Sequence, residues 1–251
     1  TSAGAVTDSG TLAITGATTI SASGQDITLD EAASTFGTLA LTGSNVAVTE
    51  NAAMDLGAST IGGTANFNST SNVITDSGTL AITGATTINA GTADITLDQA
   101  ASTFGALALT GANVAVTENA ATDLAASTVS GTLGVTSTGA VTDSGTLAIT
   151  GATTISASGQ DITLDEAAST FGTLALTGAN VAVTENAATD LGASTVSGTF
   201  GITSGGAITD SGTQAITGAS TFTNTAGTND AITFAAASNA FAGTGPFSPA
   251  P

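Results

Sequence analysis

The phrase TDSGTLAITG begins at Thr7, again at Thr75 and Thr142, and once more at Thr209 as TDSGTQAITG. Intervals of 68, 67 and 67 residues constrain the fold strongly. A chain that rewrites one phrase at a fixed period builds the same unit each time and buries its apolar face against the neighbouring copy. Residues 4–43 recur letter for letter at 139–178, and the copy from Val73 differs at only a few positions. The phrase already in progress at Thr1 is what a processed product, or a piece of something longer, would show.

A shorter pattern lies inside the long one: two or three alternating β-formers followed by an acid. It reads AVTD (5–8), ITLDE (27–31), VAVTE (46–50) and VITD (73–76), and continues so. The acids Asp8, Asp30, Glu50, Asp76, Asp98, Glu118, Asp143, Asp165, Glu185 and Asp210 recur every 22 residues or so, three to each long repeat. LAI, LAL, VAV and ITL alternate with period two, and no stretch sustains apolar positions at helical spacing. Val, Ile, Thr and Phe fill the short runs, with Gly, Asn, Ser and Asp between them.

The pattern predicts an all-β right-handed parallel β-helix (β-solenoid), with about 22 residues per rung and three rungs per 67–68-residue repeat. The phrase would return because the chain passes the same point of the coil every third turn. Leu12, Ile14, Ile27, Leu29, Leu39, Leu41, Val46 and Val48 are expected to point inward. About eleven rungs at ~4.8 Å would make a rod roughly 50 Å long. The expected organisation is a repeat β-helix over 1–218 and a divergent carboxyl-terminal cap or docking segment over 219–251.

GTLAITGATTI, DITLDEAASTFGTLALTG, NVAVTENAATDLGASTVSG and TSGGAITDSG resemble the β-strand repeats of filamentous-haemagglutinin-like surface proteins. The resemblance runs from about residue 4 to about residue 243. It implies a secreted, extracellular β-helix of the two-partner or autotransporter type, located at the cell surface in a filament or adhesin stalk.

Composition removes other classes of function. The 251 residues include no Lys, Arg, His, Cys, Trp or Tyr, against 19 Asp plus Glu, for a net charge of −19. Without cations nothing neutralises phosphates, so nucleic acid is excluded as a partner. Anionic membranes repel such a chain, and no apolar run of membrane-spanning length is present. Lacking Lys and Arg, the chain offers trypsin no site, which suits an exposed fibre. Catalysis is not expected: the carboxylates recur in every rung, no His or Lys activates a Ser, and no Trp or Tyr stacks on a sugar. No cofactor is required.

The ten acids carry two readings. They are turn residues that cap local backbone N–H groups and keep the rod soluble, or they form a ladder of Ca²⁺ sites built from hard oxygen ligands. Alternation turns Ala13, Ala40, Ala47 and their equivalents outward, where repeated small residues would make apolar strips for lateral packing. The carboxyl segment holds Phe222, Phe234, Phe241 and Phe247 and all three Pro residues, and Gln214 replaces the inward Leu of positions 12, 80 and 147. Its Phe residues are expected to form a cap, or to dock on the open amino end of another subunit and so build a head-to-tail filament. A binding module is the alternative reading; a carbohydrate-active β-helix and an ice-binding Thr face rank below it.

Overall fold

The computed structural model describes residues 1–226, 230–243 and 247–248; the Phe247 side chain and parts of the 219–251 segment lie outside the described residues. The chain divides into two compact units, Thr1–Ala120 and Ala121–Pro251. Each is an all-β parallel solenoid, as the alternation predicts, with no helix among the described residues.

In the first unit one column of partners runs Val6, Ile27, Val46, Ala65, Thr86 and Leu107, in steps of 21, 19, 19, 21 and 21 residues. Three rungs therefore carry Ile27 to Thr86, whereas the phrase ITLD returns nine residues later, at Ile95. Ile95 stands in a different column, between Ile74 and Val114. The expectation that the phrase returns to one point of the coil is thus corrected. Each repeat holds three rungs and a remainder, so identical sequence is carried to a new face.

The six-residue strand Thr38–Gly43 makes this possible. It pairs first with Met54–Leu56 and then with Ser59–Ile61, two strands of three residues separated by a corner. Thr173–Gly178 does the same with Thr189–Leu191 and Ser194–Val196 in the second unit. At the corners the backbones approach closely: a Cβ on Gly84 would lie 2.5 Å from the Gly63 carbonyl oxygen of the rung before.

Strand alternation sets the core. Ile27, Leu39, Met54, Phe67, Ile74 and Leu80 are fully buried in the first unit, and Val141, Leu147, Ile162, Leu174 and Phe200 in the second. Each such side chain contributes roughly 1.5–3 kcal/mol. The carboxyl segment is a worn copy of an earlier one. ITFAAASNAF (232–241) aligns without a gap on ITLDEAASTF (27–36), and Ile232 pairs with Ile208 as Ile27 pairs with Val6.

Candidate functional site

The acids are the only charged side chains, so any chemistry begins with them. Alternation along VAVTE puts Val46, Val48 and Glu50 on one side of the strand, and all three are buried. Glu118 and Glu185 follow the same parity and are 0% and 2% exposed. Each caps a corner amide: Phe36 N–H donates to Glu50 Oε2 at 2.7 Å, Phe104 N–H to Glu118 Oε1 at 2.8 Å, and Phe171 N–H to Glu185 Oε1 at 2.9 Å. The signal was present in the sequence, because Glu stands two residues beyond an inward Val. A solvated ladder is therefore corrected at these positions.

The Asp residues cap across rungs. Asp30 N–H donates to Asp8 Oδ1 at 3.1 Å, and Asp98 and Asp165 N–H donate to Asp76 and Asp143 Oδ1, each at 2.8 Å. The donors Asp30, Asp98 and Asp165 are exposed, while Asp76 and Asp143 are buried. Nor do the ten acids share a column: Asp76 lies level with Leu56, Asp143 with Leu124 and Glu185 with Ser204. Rung lengths that vary at the corners displace each acid from the last. Among the described residues, no three acids gather into a group that could hold a metal ion.

Burial sets the protonation of the inward carboxyls. It pushes Glu50 up from 4.5 to about 7, against the opposing pull of the Phe36 N–H. Burial also raises Glu185, where the Phe171 N–H and the Thr189 hydroxyl, the latter at 2.8 Å, partly offset it. At the Glu50 corner Met54 stands in place of that Thr, and Glu50 Oε1 has no hydrogen-bond partner among the described residues. Asp76 and Asp143 are raised for the same reason, loss of hydration. Asp210 differs. Burial works to raise it, but donors from Asn239, Ala235 and Ala236 outweigh that and hold it below 3.8.

Three polar columns escaped the sequence reading. Asn45 donates through N–H and Nδ2 to Asp26 Oδ1, and its own Oδ1 accepts from Thr64; Asn180 repeats this between Asp161 and Thr199. Asp55 Oδ2 accepts from the hydroxyls of Thr38 and Ser77, and Asp190 Oδ2 from Thr173 and Ser211. Buried Ser34, Ser102 and Ser169 accept through Oγ from Leu12, Leu80 and Leu147 N–H at 2.9–3.0 Å. For the Asn column the available signal was Asp, Asn and Thr spaced 19 residues apart. Ser102→Ala would leave the Leu80 amide unsatisfied, so equilibrium unfolding should show a loss of about 1–2 kcal/mol.

The interface candidates are placed variously. Phe222 is fully buried, with ring centroids 5.7 Å from Phe200, 4.7 Å from Phe234 and 5.8 Å from Phe241. Its assignment to a docking surface is corrected, because strand parity aims it at the core. Phe234 and Phe241 remain half-exposed. The backbone of Phe247 pairs with Phe222. Ala13 is exposed, and Ala40 and Ala47 are half-buried. Their neighbours across rungs are Thr35 for Ala13, Thr19 for Ala40, and Thr28 and Asn66 for Ala47, so an unbroken Ala strip does not form. Gln214 is fully buried; its Nε2 donates to the carbonyl oxygens of Leu191, Gly192 and Gly212.

What the arrangement does chemically is bind rung to rung. Carboxylates, amides and hydroxyls repeat the same capping contacts instead of converging on one cleft. No curated protein and no solved structure matches the chain. One family profile matches four times in succession, over residues 1–42, 43–110, 111–177 and 178–246. With nearly its whole length so covered, the chain belongs to the family described as repeats of unknown function (DUF5649).

Proposed function

We propose that this protein is a structural component of the cell exterior, a solenoid segment of a surface filament or adhesin stalk, without catalytic activity. One observation carries the reading: the polar side chains are spent on repeated rung-to-rung capping, with the Glu50, Glu118 and Glu185 contacts recurring at each AASTF corner. A catalytic centre needs one singular, accessible constellation, and inward carboxylates in three equivalent corners do not supply it. The resemblance to filamentous-haemagglutinin-like repeats supports the extracellular setting, and the absence of trypsin sites suits it.

The expected result in immuno-electron microscopy of the producing cells is label on the outer surface, along fibres or stalks. Label confined to the cell interior would sink the proposal. Turnover of a polysaccharide by the purified protein would replace it with an enzymatic reading.

A further inference from the structure

Two corners with nearly the same letters are locked differently. ENAAMDL (50–56) turns the chain in the first unit and ENAATDL (185–191) in the second. Glu50 and Glu185 are both buried, and each accepts from one amide, that of Phe36 or Phe171. At Glu185 three more contacts close the corner, each at 2.8 Å. The Thr189 hydroxyl donates to the second carboxylate oxygen, Gly205 N–H to the Glu185 carbonyl oxygen and the Ser204 hydroxyl to the Ala187 carbonyl oxygen.

At Glu50 each of these is lost or replaced. Met54, fully buried and without a donor, stands in place of Thr189; Glu50 is 0% exposed, and its Oε1 has no partner among the described residues. Ser69 stands where Ser204 does, but its hydroxyl donates to Asn72 O within its own turn. The Glu50 carbonyl oxygen accepts from the Thr70 hydroxyl at 2.9 Å instead of from a backbone N–H. Thr70 and Ser71 hold φ of 48° and 74°, a left-handed conformation that residues with a Cβ disfavour. Gly205 and Gly206 occupy the matching turn. Across the corner itself, Phe36 N–H to Glu50 Oε2 at 2.7 Å and Asn51 N–H to Ser34 O at 2.9 Å remain.

The carboxyls on the elements packed around Glu50 are turned elsewhere. Asp30 is exposed and Glu31 half-exposed on the turn that precedes Ser34. Asp55 accepts from the Thr38 and Ser77 hydroxyls, and Asp76, on the strand paired with Met54–Leu56, accepts from Asp98 N–H. With no Lys, Arg or His in the chain, a proton is what neutralises Glu50 in place.

We propose that the Glu50 corner is an acid-closed latch: residues 34–36 and 50–54 stay shut while Glu50 is protonated and open locally to water when it loses that proton, ahead of the rest of the unit. A neutral carboxyl tolerates one dry oxygen, whereas a buried anion with a single donor does not. Where the neighbouring ties are missing, turning the corner out to hydrate the charge costs less than keeping it buried. Glu185 keeps two donors and a turn built on glycine, so its corner holds over the same range. The inference concerns the fold alone and is independent of the proposed extracellular role.

The test is amide hydrogen exchange of the full chain at pH 5 and pH 8, each rate divided by its intrinsic value. Phe36 and Asn51 report the latch; Phe171 and Asn186, which make the same bonds at the Glu185 corner, absorb any change shared by the whole fold. An opening that releases one proton grows tenfold per pH unit above the folded-state value, about 7 for Glu50. Protection at Phe36 and Asn51 should therefore fall about tenfold relative to the reference pair between the two conditions. Glu50→Gln should remove that fall, and Met54→Thr, which supplies the missing hydroxyl, should restore protection at pH 8. A protection ratio that does not change with pH would overturn the proposal, as would a fall that persists in Glu50→Gln. If the buried Met54→Thr change unfolds the unit, Glu50→Gln decides the matter by itself.

Discussion

Between about pH 8 and pH 5 the melting temperature is expected to rise, by roughly 5–10 °C. Four buried or nearly buried carboxyls, Glu50, Asp76, Asp143 and Glu185, have folded-state values raised by loss of hydration. A raised value means that the fold favours the protonated form. The associated stability is complete below the unfolded value and is lost as the pH climbs through the folded one. For Glu50 that window runs from 4.5 to about 7. Glu50 alone contributes on the order of 2 kcal/mol across it, at about 1.4 kcal/mol per unit and discounted for partial rehydration. Asp210 has the opposite sign: its contribution is present above 3.8 and fades only at lower pH.

Relief of self-repulsion in a chain of net charge −19 acts in the same direction. Glu50→Gln separates the two effects. The amide oxygen still accepts from Phe36 N–H but cannot ionise, so the variant should melt above the parent near pH 8 and lose that advantage near pH 5. A melting temperature that is flat or falls on acidification would show that these carboxyls are hydrated and that the inward assignment is wrong.

The second large effect is steric. Gly84→Ala places a methyl 2.5 Å from the Gly63 carbonyl oxygen and 2.6 Å from its carbon. Both are backbone atoms of the adjacent rung, and neither can turn aside as a side-chain tip would. Gly84 also donates to Gly63 O at 2.9 Å, so separating the rungs would lengthen a ladder bond. The expected cost is about 3 kcal/mol or more, a fall in melting temperature of roughly 10 °C. Gly62→Ala is the internal control. Nothing lies within 4 Å of its added methyl, and its effect should stay within about 0.5 kcal/mol. Equal behaviour of the two variants in thermal denaturation would contradict the close corner stacking.

Much of this was legible in the letters. The 67–68-residue phrase and the period-two alternation required short stacked strands, and the buried columns through Ile27, Leu39, Val46 and Ile74 are those strands. The inward Glu residues were equally readable from the parity of VAVTE. Their direction is hidden by the habit of reading an acid after a strand as a solvated turn.

Composition and period by themselves determined the fold class, the absence of cationic chemistry and which side of each strand faces inward. Those properties are local, set by side-chain alternation and by residue inventory. Tertiary pairing decided the rest: that ITLD at Ile27 and at Ile95 stands in different columns, and that Asn45 meets Asp26. These depend on how many residues each corner absorbs. A step of 17 between Thr38 and Asp55 beside one of 21 between Thr86 and Leu107 cannot be read from a repeat whose letters do not change.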